Sequence, residues 1–178
     1  MREYASFTDI LDGEYKDTKR KAVTSSPRDA QFLDYLENDI ARYESLQNLE
    51  RATHLILDKV KSSYSIDAAL RLRDLNAKRV VSNMVRNAPT FMELEGIKAA
   101  TVDFPFAYDD IKESAYAAFD WEMERDCLSQ IKMVSRDRDA IGRLRSAIGQ
   151  YPFISAERHA RVLDALTKAE KTMHVRLH

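Results

Sequence analysis

Only four glycines and four prolines interrupt the 178 residues of this chain, and that scarcity constrains its fold more than any other feature. A sheet built from hairpins needs a tight turn every ~8–12 residues, usually with glycine or proline at a position of special backbone geometry. This chain has too few of either, so long helices are what remains. The apolar residues agree: Leu33, Leu36, Ile40, Tyr43, Leu46, Leu49, Thr53, Ile56 and Val60 follow one another at steps of three and four, the spacing of one helix face.

The expected fold is all-α. It is an antiparallel bundle of four long helices and one short helix over residues 29–178, preceded by an N-terminal segment and basic arm over 1–28. Residues 28–63 contain no glycine or proline, so one helix of ~54 Å fits there, with Ser26 as its cap, Pro27 in its first turn and Asp29 at its positive end. A second helix runs from Ile66 to about Asn87 and stops at Pro89. Thr90 and Glu93 make a capping box for a short helix through Ile97. "TVDFPFAYDD" (101–110) is irregular and aromatic, a loop to be pinned against the bundle or another chain. Asp109 or Asp110 then opens a helix carrying Ile111, Ala115, Phe119, Met123, Cys127 and Ile131. A break is expected near 135–137, with Asp137 capping a new helix, and Ser155 with Glu157 begins the last helix. No internal repeat and no low-complexity tract is visible.

Apolar residues make up 44% and charged residues 32%, a globular composition with a heavily charged surface. Cys127 has no second cysteine to pair with and lies in an apolar pattern, which suits a core residue in a reducing compartment. The N-terminus lacks the apolar core of a signal peptide, and no run approaches the ~20 apolar residues of a membrane span. A soluble cytoplasmic protein without membrane contact is the expectation.

Net charge is −1, but it is laid out in blocks: −3 over 1–15, +4 over 16–28, −3 over 29–65, +3 over 66–89, −7 over 90–127 and +5 over 128–178. Blocks of opposite sign can neutralise one another within one molecule or between copies. In "RDRDAIGRLRSAIG" (136–149), helical phase at ~100° per residue puts Arg136 and Arg143 on one side and Arg138 and Arg145 on the other. No phosphate track results, only a solvated helix with local ion pairs. The helix over 66–87 is different. Arg71, Lys78, Arg79 and Arg86 gather opposite Ile66, Leu70, Ala77, Val80, Val81 and Met84. With Lys19, Arg20 and Lys21 of the basic arm, these are the candidates for meeting an acidic partner or a nucleic-acid backbone.

Catalytic signatures are missing: there is no glycine-rich phosphate loop, G-x-S-x-G, C-x-x-C or H-E-x-x-H. Glu50, His54 and Asp58 share a helix face at i, i+4 and i+8, a weak metal candidate that no second helix completes. No cofactor is implied. Asp120, Glu122, Glu124 and Asp126 divide between two faces of their helix and read as a solvated acidic surface. His159 reads as a surface or partly packed residue, and His174 and His178 lie near a fraying end. Trp121 falls off the main apolar face, and with Phe104, Phe106 and Tyr108 it forms the candidate interface.

The function these features point to is a non-enzymatic structural or interaction subunit, assembling with itself or with partner proteins in a larger complex such as a virus particle. The alternative is a helical module for nucleic-acid backbone. A metal-dependent enzyme centred on Glu50, His54 and Asp58 is the weaker third.

Overall fold

The computed structural model describes residues 7–88, 90–134 and 137–176. Among them the chain is all-helical, with α1 Phe7–Ser25, α2 Pro27–Ile40, α3 Leu46–Lys59, α4 Ser63–Asn87, α5 Phe91–Asp103, α6 Asp109–Val134, α7 Arg138–Ile148 and α8 Ala156–Arg176. Pro89, Ser135, Arg136 and His178 lie outside the described residues, as do the side chains of Arg138 and His174. Two compact units form. One comprises residues 1–80 with 104–112, the other 81–103 with 113–178.

Two expectations are corrected. The basic stretch around 16–28 is not a loose arm, because residues through Ser25 belong to α1, which packs on α2. Lys, Arg, Glu and Ala are good helix formers, and Tyr15 and Ala22 give this helix a narrow buried stripe. The single helix over 28–63 is divided at 41–45. Ser45 starts α3 by accepting from the Asn48 amide at 3.3 Å, and the Arg79 guanidinium takes up the carbonyls of Ala41 (2.9 Å) and Tyr43 (3.0 Å) left by the break. A polar cap and a distant arginine do here what glycine or proline would do elsewhere.

The expected caps hold. Ser26 accepts from Asp29 with Pro27 behind it, Thr90 accepts from Glu93 (3.3 Å), Asp137 accepts from Ala140 (3.0 Å) and Ser155 accepts from Arg158 (3.3 Å). The chain also repeats, which its sequence does not display. The shorter helices open at Leu46, Phe91 and Arg138, and the longer ones after them at Ser63, Asp109 and Ala156, so the module recurs every 45–47 residues. Each shorter helix has a polar cap, Ser45, Thr90 or Asp137. Buried residues occur four, seven and eleven positions later: Leu49, Leu94 and Ile141; Ala52, Ile97 and Leu144; Ile56, Thr101 and Ile148.

One buried carboxylate per module fixes the start of the longer helix. Asp29 accepts from the amides of Lys61 (3.3 Å) and Ser62 (2.8 Å), just before α4. Asp74 accepts from Ala107 (2.7 Å) and Tyr108 (3.1 Å), just before α6. Asp120 accepts from Ile154 and Ser155, both at 2.8 Å, just before α8. The second residue of each pair then lends its carbonyl to its helix's first bond, from Ile66, Lys112 and His159 respectively. Amides that a helix start would leave without acceptors are thereby satisfied inside the fold.

Removing any of these carboxylates strands two amides. Asp29→Ala and Asp120→Ala should each cost about 3 kcal/mol in chemical denaturation. Asp74→Ala should cost about 3–5 kcal/mol because it also leaves the Arg73 charge buried and alone. The exposed control Asp164→Ala should cost less than about 0.5 kcal/mol, and equal losses in all four would contradict the role given to these groups. Burial alone would raise the Asp29 carboxyl, but the amides of Ser62 and Lys61 outweigh it and hold it below the usual carboxylate range. Its stabilisation is therefore complete above pH ~4 and fades as pH falls through the folded value. Asp29→Asn should be less stable than wild type at pH ~7, with the gap narrowing toward pH ~3.

Candidate interaction face

In the second unit, the expected apolar face of α6 is buried: Ala115, Phe119, Met123, Cys127 and Ile131 all face the core. Cys127 is enclosed, and burial, followed by the charge of Asp126, pushes its thiol up to about 12. Trp121 lies on the outer side of the same helix at 50% exposure, with Leu128 and Met133 also exposed. It is not a free rotor. The Arg125 guanidinium sits 5.1 Å from its ring centroid, a cation–π distance.

A chain of charges runs inward from that arginine. Arg125 Nη2 lies 2.5 Å from Glu122 Oε2, and Arg86 Nη2 donates to Glu122 Oε1 at 2.6 Å. Glu122 is only 3% exposed, so its carboxylate is held in the protein by two arginines that are themselves about half exposed. A cavity of about 500 Å³ opens beside them, against Met123, Gln130 and Tyr151. Gln130 donates to Asp126 at 2.7 Å and to the Tyr151 hydroxyl at 3.3 Å. Tryptophan, two arginines and a cavity thus lie together on one unit.

The acidic run on α6 is not the solvated surface expected of it. Asp120 and Glu122 are buried, and Glu124 pairs with Arg158 at 2.8 Å. Helical phase separated these groups correctly into two sets, but Arg86, Arg158 and the amides of Ile154 and Ser155, which meet Glu122, Glu124 and Asp120, stand 34–36 residues away. His159 is partly packed as one of its readings had it, stacked on Phe153 at 5.1 Å with Nε2 2.9 Å from the Ile148 carbonyl.

In the first unit the aromatic loop is pinned within the unit itself. Phe104 is buried, meets Phe106 edge-on at 4.7 Å, and has the Arg73 guanidinium 5.3 Å from its ring. The Tyr108 hydroxyl donates to the Asp67 backbone carbonyl at 3.1 Å and to its carboxylate. Of the four interface candidates, only Trp121 is more than a third exposed.

The cationic face expected on α4 is dispersed. Arg71 is buried between Glu14 and Asp110 (3.3 Å) and lies over the Tyr108 ring at 4.9 Å. Lys78 is half-buried, Arg79 holds carbonyls, and Arg86 holds Glu122. On α1, Lys19 pairs with Asp34 (3.1 Å) and Glu37, while Arg20 and Lys21 are exposed. Helical phase places side chains around an axis but says nothing about acids brought up from elsewhere. Arg73, two residues beyond Arg71, went unnoticed in the sequence and is the most enclosed cation of the described residues. It bonds Asp74 (2.5 Å), Thr53 (2.5 Å) and the Pro105 carbonyl (2.8 Å).

Glu50, His54 and Asp58 are exposed on α3, and Asp58 pairs with Lys59 at 2.9 Å. No group of three His, Cys, Asp or Glu among the described residues could hold a metal ion, so the weak metal candidate is not assembled. No described helix is long and apolar enough to cross a membrane.

The fold and the face together define an all-α protein of tandem helix–loop–helix modules with a half-exposed tryptophan on one unit. No protein-family model, curated protein or solved structure matches the chain.

Cys127 is wholly enclosed and burial pushes its thiol above the ordinary range, so neither reagent access nor thiolate is available in the native state. Cys127 should therefore react with an aromatic disulfide reagent only as fast as the fold opens, and at once in denaturant. Full labelling of the native protein within seconds would show that the thiol is accessible and not part of the core.

Proposed function

We propose that the chain is a non-catalytic interaction subunit that assembles with other protein chains, first of all with its own copies, through the face around Trp121. The observation that carries this reading is the Trp121–Arg125–Glu122–Arg86 sequence of contacts beside an open cavity. Tryptophan and arginine supply a disproportionate share of binding energy at protein contacts. Fixing them before binding lowers the ordering cost of association. Exposed Leu128 and Met133 extend the apolar area along the same helix.

The nucleic-acid alternative has less behind it. Arg71 and Arg86 are occupied by carboxylates, and what remains exposed does not line up as a backbone track.

Trp121 is the one tryptophan of the chain, so its emission reports directly on this face. Wild type should gain mass in light scattering over micromolar concentrations while its emission moves to shorter wavelength. Trp121→Ala should weaken association by about tenfold or more. A mass that stays monomeric to about 200 µM, with constant emission, would refute assembly through this face.

A further inference from the structure

Within the second unit α6 carries two rows of side chains. One, Ala115, Phe119, Met123, Cys127 and Ile131, fills the core. The other, Ser114, Ala118, Trp121, Arg125, Leu128 and Lys132, runs along the outer side at steps of four, three, four, three and four. Alternating steps of three and four are the spacing by which one helix pairs lengthwise with another. Trp121 and Leu128 are 50% and 40% exposed and Arg125 about half exposed, so this outer row stands open.

The first unit shows what the equivalent row does. α4 and α6 open 46 residues apart, at Ser63 and Asp109, so Leu72, Leu75 and Arg79 hold the places of Ala118, Trp121 and Arg125. There a helix lies against the row. Tyr15, Lys16 and Lys19 of α1 line one cavity with Leu72, Leu75 and Arg79, and Glu14 of α1 pairs with Arg71 beside them.

The order of residues along the open row selects its occupant. Its N-terminal end is small, Ser114 and Ala118, and its C-terminal end is long, Leu128 and Lys132. A second copy of α6 laid antiparallel, with a two-fold axis passing at Met123, sets Ser114 against Lys132, Ala118 against Leu128 and Trp121 against Arg125 of the other chain. Small then faces long in the outer layers. Each indole, which has its own Arg125 guanidinium 5.1 Å from its centroid, gains the other chain's guanidinium as a second cation–π partner. The charge carried by each Arg125 is offset by its own Glu122. Exposed Glu113, next to Ser114, comes within reach of Lys132 of the second copy, so each end of the contact joins opposite charges. A parallel pair would instead set arginine on arginine and lysine on lysine.

We infer that two copies of the chain pair through an antiparallel, two-fold contact of α6 with α6 along Ser114, Ala118, Trp121, Arg125, Leu128 and Lys132. This rests on the self-assembly proposed above and names the segment that meets the Trp121 face. Half of the row is polar, so the contact is a reversible one and not a permanent core.

Ala118→Cys and Leu128→Cys, made as separate proteins, test the geometry. Mixed in equal amounts under mild oxidation, they should form a disulfide-linked dimer at least tenfold faster than either protein alone. In an antiparallel pair residues 118 and 128 face each other, whereas two copies of either residue lie ~15 Å apart along the axis. Adding Trp121→Ala to both proteins should suppress the cross-link. A second test needs no cysteine: Glu113→Lys and Lys132→Glu should each weaken association severalfold, and both together in one chain should restore it to within about twofold. Equal cross-linking by the single proteins, or a double charge swap no better than the single ones, would overturn the antiparallel pair. Association that shifts Trp121 emission without the mixed cross-link would overturn this contact and leave assembly through the Trp121 face standing. A chain that stays monomeric and forms no cross-link would remove both. If a peptide of residues 7–25 shifts Trp121 emission while the mixed cross-link fails, the row takes α1 and the pairing of α6 falls.

Discussion

Three aspartates, each seizing two successive amides from a distant loop, set where the long helices of this protein begin. Asp29, Asp74 and Asp120 lie on α2, α4 and α6, and each fixes the first turn of the next long helix along the chain. A loop amide buried without an acceptor costs about 1–3 kcal/mol, and a carboxylate buried without donors costs more. Brought together, each group removes the other's penalty. Neither can be exchanged for an apolar residue singly, because the partner left behind would then be buried and unsatisfied. Register, more than affinity, is what such a contact enforces: slipping the loop by one residue would offer the carboxylate the wrong pair of amides.

Asp74 carries the heaviest load of the three. One oxygen receives the amides of Ala107 and Tyr108, and the other meets the Arg73 guanidinium at 2.5 Å. Arg73 passes the connection on to Thr53 on α3 and to the Pro105 carbonyl in the aromatic loop, with the Phe104 ring beside it. Ion pairs buried this deeply contribute little net stability, because taking both charges out of water costs nearly what their attraction returns. Their effect is on choice among packings. With five polar contacts drawn from α3, α4 and the loop, only one arrangement of those segments satisfies the pair, and an alternative packing would leave a charge stranded.

Much of the architecture was legible in the sequence. Helix content followed from the scarcity of glycine and proline, and the caps at Ser26, Thr90, Asp137 and Ser155 were visible because a cap is a local arrangement of three or four residues. The buried face of α6 followed from its period. What escaped was non-local. The break at 41–45 has no glycine or proline to announce it and depends on Arg79 arriving from 36–38 residues away. The repeat is hidden because equivalent core positions tolerate different residues, as with Ala52, Ile97 and Leu144, while the aspartates sit at unequal depths in their helices, third in α2 and twelfth in α4 and α6. Arg73 and Asp74 were overlooked for a related reason. A charged pair on a helix reads as surface until its acceptors and donors are seen around it.

The fate of the cations obeys the same non-local logic. A helical wheel sorts α4 into an apolar side and a basic side, but whether a basic side faces water depends on what the rest of the chain presents to it. Arg71 met Glu14 and Asp110 and is buried, while Arg86 met the buried Glu122 and stays half exposed. Arg79 met carbonyl oxygens, which orient a guanidinium without neutralising it. Whether an arginine serves recognition or holds the fold thus depends on partners from elsewhere in the chain, a property that the spacing of basic residues does not encode. Arg125 falls on the recognition side by another route: it shares Glu122 with Arg86, so one buried carboxylate positions two half-exposed guanidiniums and the excess positive charge remains beside Trp121.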